Sequence, residues 1–266
     1  MSDEPDLVRG RSEPALDPWS ELRRHTAARI AIGRSGSSLP TREVLAFGLA
    51  HAQARDAVHL PLEVPALRSE LEHAGWRVIE VRSRADDRAA YLARPDWGRR
   101  LHAQSLAELA EVEREADIVF VIGDGLSSIA VQRHAAALLA QLKPLLEGFS
   151  VAPIVIATQA RVALADEVGE YIEAKLAVSL IGERPGLSSP DSLGAYVTYA
   201  PKVGTTDEAR NCISNIRPEG FSIAAAAQLI AAHIRASLRA RLSGVALRFD
   251  PSRALGEGAR APDQKL

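Results

Sequence analysis

From Trp76 onward, the hydrophobic residues fall into short apolar runs that are separated by longer amphipathic segments. Uninterrupted runs of this length are typical of strands buried on both faces of a sheet, and an alternating run is typical of a half-buried strand. The alternation of such strands with helices predicts an α/β fold with a doubly wound, mostly parallel, Rossmann-like sheet. The predicted strands are 77–82, 117–122, 154–157, 176–181 and 195–199, and the main predicted helices are 105–115, 129–146, 166–174 and 222–242.

The first part of the chain has a mainly helical pattern, which predicts helices over 19–32, 41–58 and 64–74. Its first residues are rich in Pro, Asp, Glu and Arg and contain few apolar ones, and such a composition predicts a mobile arm. The predicted organisation is a mobile arm (1–18), a helical N-terminal segment (19–75), an α/β domain (76–250) and a disordered tail (251–266).

Composition and charge narrow the class of protein. The chain has 266 residues, of which 47% are hydrophobic and 25% charged, and this predicts a soluble protein with a substantial core. A formal net charge of −2 gives no indication of binding to nucleic acid or to an anionic membrane. Cys212 is the single cysteine, which excludes an internal disulfide and suits a reducing compartment. Without a signal peptide or a spanning apolar stretch, the chain is expected to be cytoplasmic.

Three polar or glycine-rich segments follow predicted strands and are candidate ligand-binding positions. They are the turn GDGLSS, from Gly123 to Ser128; the segment QARV, with Arg161 and Val162; and the pair Glu183 and Arg184. In a doubly wound sheet, ligands bind at the carboxyl ends of the strands, so these segments should converge along one edge. Considered one by one, each also fits a chain reversal, an exposed arginine or an ordinary polar loop.

A fourth candidate is the stretch NCISNIRP, residues 211–218, which contains Cys212 and Asn215. We predict that residues 202–220 are irregular, because this stretch shows neither a helical nor a strand period. Its dense Asn, Ser and Cys side chains fit a site that receives amide or hydroxyl groups, although the same residues are also common in turns. No GxSxG elbow and no HExxH spacing occurs, so the sequence predicts neither catalytic residues nor a metal site.

Seven motifs together resemble the small (light) subunit of ethanolamine ammonia-lyase, and the resemblance covers roughly residues 19–247. The last two of these motifs are the most specific. In chain order they read GRSGSSLPTREVLAF, HAQARDAVHLPL, RPDWGRR, VIGDGLSS, RVALADEVGE, LIGERPGLSSPDSLGAYVTYAP and NCISNIRPEG.

The resemblance implies a subunit of an adenosylcobalamin-dependent enzyme that converts ethanolamine to acetaldehyde and ammonia by a radical 1,2-shift. In this family a barrel-shaped large subunit holds the substrate and most catalytic residues, and the small α/β subunit closes over the cobalamin at the subunit interface. The resemblance places Val162 (through its backbone), Glu183 and Cys212 at the cobalamin, with Arg184 and Asn215 as neighbours. It also implies that the cofactor keeps its dimethylbenzimidazole as the lower ligand, since no Asp-x-His-x-x-Gly motif occurs.

The sequence departs from the family pattern in two places. The segment before residue 19 is shorter than in members sent to bacterial microcompartments, which leaves that destination open. Ala160 stands where many relatives have glycine, a change that a backbone contact next to it should tolerate.

Two other functions stay open on the sequence alone. One is a stand-alone nucleotide-binding α/β enzyme that uses the turn Gly123 to Ser128 for phosphate. The other is a non-catalytic scaffold domain with a ligand-free cleft.

Overall fold

A computed structural model describes residues 17, 19–248 and 250. The chain divides into two compact units, with the division between Gln53 and Ala54. The predicted arm, apart from Asp17, and the predicted tail therefore lie outside the described residues.

The first unit contains a 3₁₀ helix at Ser20–Arg24 and the start of helix α1, Thr41–His59. The prediction for α1 is confirmed, but the prediction of a helix over 19–32 is wrong beyond Arg24. Helices of this length are stabilised mainly by burying an amphipathic face, and residues 19–32 are exposed or only half-buried. Ala31 also adopts a positive φ of 49°, which ends any helical path there.

The second unit is built on one six-stranded sheet with the order β1-β3-β2-β4-β5-β6. Strands β1 to β4 pair in parallel, whereas β5 runs antiparallel to β4 and β6 antiparallel to β5. The α/β class is thus confirmed. The sheet is mixed, so the prediction of a Rossmann-like, mostly parallel sheet is not confirmed. The strands are β1 Val78–Arg82, β2 Ile118–Gly123, β3 Ile154–Thr158, β4 Leu176–Gly182, β5 Leu193–Tyr199 and β6 Arg210–Ile216.

Short connections explain why the last two strands are antiparallel. A parallel pair needs a crossover of about a dozen residues or more, usually with a helix. Residues 183–192 join β4 to β5, and residues 200–209 join β5 to β6, without an α-helix in either segment. The chain therefore has to return beside the strand that it has just left.

Helices cover both faces of the sheet, because alternate residues of its central strands point to opposite sides. In β2, Ile118, Phe120 and Ile122 pack into one apolar cluster with α2, α5 and α7. Val119 and Val121 of the same strand pack into a second cluster with α4 and α6. The helices of this unit are α2 Val64–His73, α3 Arg88–Ala93, α4 Ala103–Ala110, α5 Ser128–Leu142, α6 Leu164–Tyr171 and α7 Ile223–Ala240.

The prediction that residues 202–220 are irregular is wrong for strand β6. The buried residues of β6 are Arg210, Ile213 and Ile216, which lie three positions apart instead of two. The register between β5 and β6 shifts near Leu193, and Asn215 adopts a positive φ of 59°. These irregularities remove the alternation by which a strand is recognised in a sequence.

Strand β6 is attached to helix α6 by a buried ion pair. The Arg210 Nη1 lies 2.6 Å from the Asp166 Oδ1, and the two side chains are only 2% and 1% exposed. Arg210 Nη2 also donates to the Thr205 carbonyl oxygen at 2.7 Å. Burial raises the pKa of Asp166, although the neighbouring Arg210 acts in the opposite direction.

In the part of the chain that the structure describes, no helix combines the length and the hydrophobicity that a membrane span requires.

Candidate functional site

The three strand-end segments singled out from the sequence meet at one cleft of about 410 Å³. The cleft lies where β2, β3 and β4 end, so the predicted convergence at the carboxyl edge of the sheet is confirmed. It also reaches strand β6 through Ser214. Its lining is formed by Tyr91, Gly125, Leu126, Arg161, Val162, Ile181, Gly182, Glu183, Arg184, Tyr196 and Ser214.

Asp124 positions the segment that carries Val162. Its buried carboxylate accepts hydrogen bonds from the backbone N–H groups of Gln159 and Ala160, both at 2.9 Å. Burial raises the pKa of Asp124, while these N–H groups and Arg88 act against that rise. Gln159 adopts a positive φ of 53°, and the hydrogen bonds that Gln159 and Ala160 donate to Asp124 stabilise this conformation.

Other groups of the protein occupy the space and the hydrogen-bonding groups that a phosphate would need at the turn after β2. The Leu126 N–H donates to the Gly182 carbonyl oxygen at 2.9 Å, and Arg88 donates to the Gly125 carbonyl oxygen at 2.8 Å. A Cβ on Gly125 would collide with the Gly182 carbonyl oxygen, so the backbone of β4 fills the space beside the turn. The glycine in this turn therefore serves close packing of β2 on β4.

Tyr91 lines the cleft, and two arginines pack against its ring. Its ring is buried, and its hydroxyl donates to the Ala160 carbonyl oxygen at 3.2 Å. The guanidinium groups of Arg88 and Arg161 lie 4.6 and 4.2 Å from the ring centroid, which are cation–π distances. Burial raises the pKa of Tyr91 to about 12. The Arg161 side chain is thus held against Tyr91 and does not extend freely into solvent.

Val162 lines the cleft where the chain approaches α6. Its carbonyl oxygen accepts the Ala165 N–H at 3.1 Å as the chain enters α6. Among the described residues, its own N–H makes no backbone hydrogen bond.

Glu183 joins the end of β4 to the start of β5 and to β6. Its carboxylate accepts the Ser192 hydroxyl at 2.5 Å, the Ser214 hydroxyl at 2.6 Å and the Asn215 N–H at 3.1 Å. Three donors hold the carboxylate in one orientation at the rim of the cleft. A carboxylate can accept about four hydrogen bonds, so it keeps capacity for a ligand donor.

Cys212 lies next to the cleft rather than in its lining. It is exposed on β6 and pairs with Tyr196 of β5, a residue that lines the cleft. Desolvation raises the pKa of the Cys212 thiol; a hydrogen bond with Tyr196 opposes this rise, and the charge of Glu183 adds to it. The thiol is therefore mainly protonated at neutral pH.

A sequence model of the ethanolamine ammonia-lyase light chain (EutC) family matches residues 16–248. The chain belongs to this family. The family resemblance noted in the sequence is thereby confirmed.

Full-length relatives carry the name ethanolamine ammonia-lyase small subunit. The protein of Azotobacter vinelandii is 54% identical over 255 residues, which cover 94% of this chain and 94% of that protein. The protein of Ralstonia nicotianae is 54% identical over 238 residues, 87% of this chain and 88% of the relative. The protein of Pseudomonas syringae pv. tomato is 51% identical over 255 residues, 93% of this chain and 88% of the relative.

The structure places some of the candidates predicted from the sequence in the lining of the cleft and others beside it. Val162, Glu183 and Arg184 line the cleft, and Cys212 and Asn215 lie beside it on β6. Among the described residues, no group of three or more His, Cys, Asp or Glu side chains has the arrangement of a metal site.

Several supporting residues of the light chain were missed by sequence reasoning. Asp124 carried one usable signal, because a carboxylate directly after a fully buried strand needs partners. Ser214 lay in the candidate stretch 211–218 without being singled out, since its partner Glu183 is 31 residues away. Tyr91 and Ser192 carried no signal, since nothing in their local sequence indicates a bond to Ala160 or to Glu183.

Proposed function

We propose that this chain is the small subunit of an adenosylcobalamin-dependent ethanolamine ammonia-lyase, which converts ethanolamine to acetaldehyde and ammonia. In this proposal the chain binds one side of the cobalamin at the interface with the large subunit. The observation that carries it is the cleft shared by Val162 and Glu183 with Cys212 at its rim, in a chain of the light-chain family.

The groups present fit the chemistry of the cofactor. Cobalamin is rimmed with carboxamides, which both donate and accept hydrogen bonds. Glu183 offers a carboxylate acceptor that three donors hold in place, and the Val162 N–H offers a donor. When bound, adenosylcobalamin supplies the radical chemistry of the reaction.

The proposed roles of this chain are binding and orientation. Glu183 would accept a carboxamide N–H, Val162 would donate to a carboxamide oxygen, and the small side chain of Cys212 would allow close approach of the corrin edge. A cleft of about 410 Å³ lies at the small end of pockets that enclose drug-sized ligands, so it can cover only part of a cobalamin. The large subunit would supply the remaining contacts, the substrate site and the catalytic residues.

We place the complex in the cytoplasm; enclosure in a bacterial microcompartment is a separate question that cell fractionation can answer.

The first test uses the purified chain with and without its partner. We expect no deamination of ethanolamine by the chain alone, whatever cofactor is added, because the catalytic groups lie in the large subunit. The complex with the large subunit should deaminate ethanolamine and retain cobalamin, as seen in its visible absorption spectrum. Turnover by the partner-free chain above a buffer control would refute the proposed division of roles.

The second test follows the thiol of Cys212 by alkylation and peptide mass spectrometry. Within the assembled complex, alkylation should be markedly slower with cobalamin than without it, because the corrin edge would cover the sulfur. The reaction is best run at mildly alkaline pH, since the raised pKa of Cys212 limits the thiolate at neutral pH. Cys212→Ala should keep cobalamin affinity, whereas Cys212→Phe should block binding. Equal alkylation rates combined with normal affinity of the Phe variant would exclude Cys212 from the site.

A further inference from the structure

Residues 19–49 expose an unusual share of the apolar surface. Within the described residues, seven of the ten large hydrophobic side chains that are exposed lie in this segment. None of the residues 19–49 is buried, so the segment has no apolar core of its own. The seven are Trp19, Leu22, Leu39, Val44, Leu45, Phe47 and Leu49, and Leu45 is 69% exposed.

Contacts within the segment are of the kind that contributes little stability. Arg23 lies 3.9 Å from Glu43, and the guanidinium of Arg29 lies 5.6 Å from the ring centroid of Phe47. Surface contacts of these types are worth about 1 kcal/mol or less each. Contiguous exposed apolar surface on a soluble protein usually marks an interaction site.

The apolar residues of α1 indicate the shape of the partner. At about 100° per residue, Val44, Leu45, Phe47 and Leu49 spread over roughly 200° of the helix circumference. A helix that packs on one flat surface needs an apolar stripe about half as wide. The first turns of α1 therefore fit a groove that contacts the helix from two sides.

The charge of residues 19–49 indicates which side chains should surround the partner's groove. The segment carries five arginines (23, 24, 29, 34 and 42) against Glu21 and Glu43, a net charge of +3 in a chain whose net charge is −2. Pairing this segment with the same segment of a second copy would bring like charges together, which opposes self-association. An apolar groove with carboxylates at its rim matches both features.

We propose that residues 19–49 form the surface by which this chain docks onto the large subunit, in an apolar groove rimmed by carboxylates. This inference rests on the proposed function, which requires a large subunit, and adds a second contact surface to the one proposed at the cobalamin cleft.

The experiment compares Leu45→Glu/Leu49→Glu with a matched control, Val245→Glu, at an apolar position that is 83% exposed outside the segment. Affinity for the purified large subunit is measured by titration at two ionic strengths. The double variant should bind at least about tenfold more weakly, as expected for charges placed in the centre of an interface. The control should bind like the unaltered chain. Higher ionic strength should weaken binding of the unaltered chain, because rim charges are screened by salt.

Hydrogen exchange on the unaltered chain gives a readout that does not depend on the variants. Amides of residues 41–50 should exchange more slowly once the large subunit is bound. Unchanged exchange there, equal binding by the double variant, salt-independent binding, or protection of 41–50 in a dimer of this chain alone would each overturn the inference. The first three results leave the proposed function intact if the unaltered chain still binds the large subunit. Absence of any such binding would overturn both.

Discussion

Arg210→Ala should lower the free energy of unfolding by roughly 3–5 kcal/mol, the usual cost of removing one partner of a buried ion pair. The loss is large because Asp166 would remain buried without its cation. The variant would also lose the bond from Arg210 to the Thr205 carbonyl oxygen, which holds the connection between β5 and β6. Urea unfolding of the isolated chain at neutral pH measures the effect.

The matched control for this prediction is Arg114→Ala. Arg114 forms an ion pair with Glu173 at 2.8 Å, but the two side chains are 57% and 51% exposed. Such a pair contributes about 0–1 kcal/mol, so its loss should be small. Equal destabilisation by the two variants would show that burial of the Arg210 pair has no special energetic weight.

The destabilisation by Arg210→Ala should also depend on pH. Burial raises the pKa of Asp166, and removing Arg210 takes away the charge that opposes this rise. A carboxyl with a raised folded-state pKa binds protons more strongly in the folded state, so its contribution to stability improves as the pH falls through that pKa. The stability difference between the variant and the unaltered chain should therefore be largest near neutral pH and shrink toward pH values near the ordinary pKa of Asp. A difference that grows on acidification would contradict this account.

Glu183→Ala should weaken cobalamin binding by the two-subunit complex about ten- to a hundredfold. Loss of a hydrogen bond that involves a charged group costs roughly 1.5–3 kcal/mol. The donors that Glu183 holds would also lose their acceptor, so the end of β6 at Ser214 and Asn215 would be less well ordered. Ser214 and Asn215 are exposed and can bond to water, whereas the buried Ser192 hydroxyl would lose its acceptor, so the chain should still fold with a moderate loss of stability. Equilibrium titration of the complex with cobalamin measures the affinity.

Glu219→Ala is the control for charge. Glu219 is an exposed carboxylate near Arg217 and does not line the cleft. Its removal changes the net charge as Glu183→Ala does, yet it should leave cobalamin affinity unchanged. If both variants, or neither, bind cobalamin normally, Glu183 has no direct part in the site.

Much of the second unit follows from local sequence patterns. Strand β2 is a continuous apolar run, and β4 is apolar apart from Ser179; burial on both faces is what such runs predict. The position of Glu183 directly after β4, and of Val162 a few residues after β3, was enough to predict that they meet, because parallel strands end at a common edge. The identity of Glu183 and Cys212 as candidates came from a motif resemblance, which the family match confirms at the level of the family.

Only the tertiary structure decided the direction of β5, the existence of β6 and the supports of the cleft. The direction of β5 depends on whether the connection before it is long enough to cross the sheet. Strand β6 is an edge strand, and its register shift removes the alternation of buried and exposed residues. Asp124 bonds to N–H groups 35 and 36 residues away, and Glu183 to Ser214 31 residues away. Such contacts form between segments that folding brings together, so neither local propensity nor periodicity contains them.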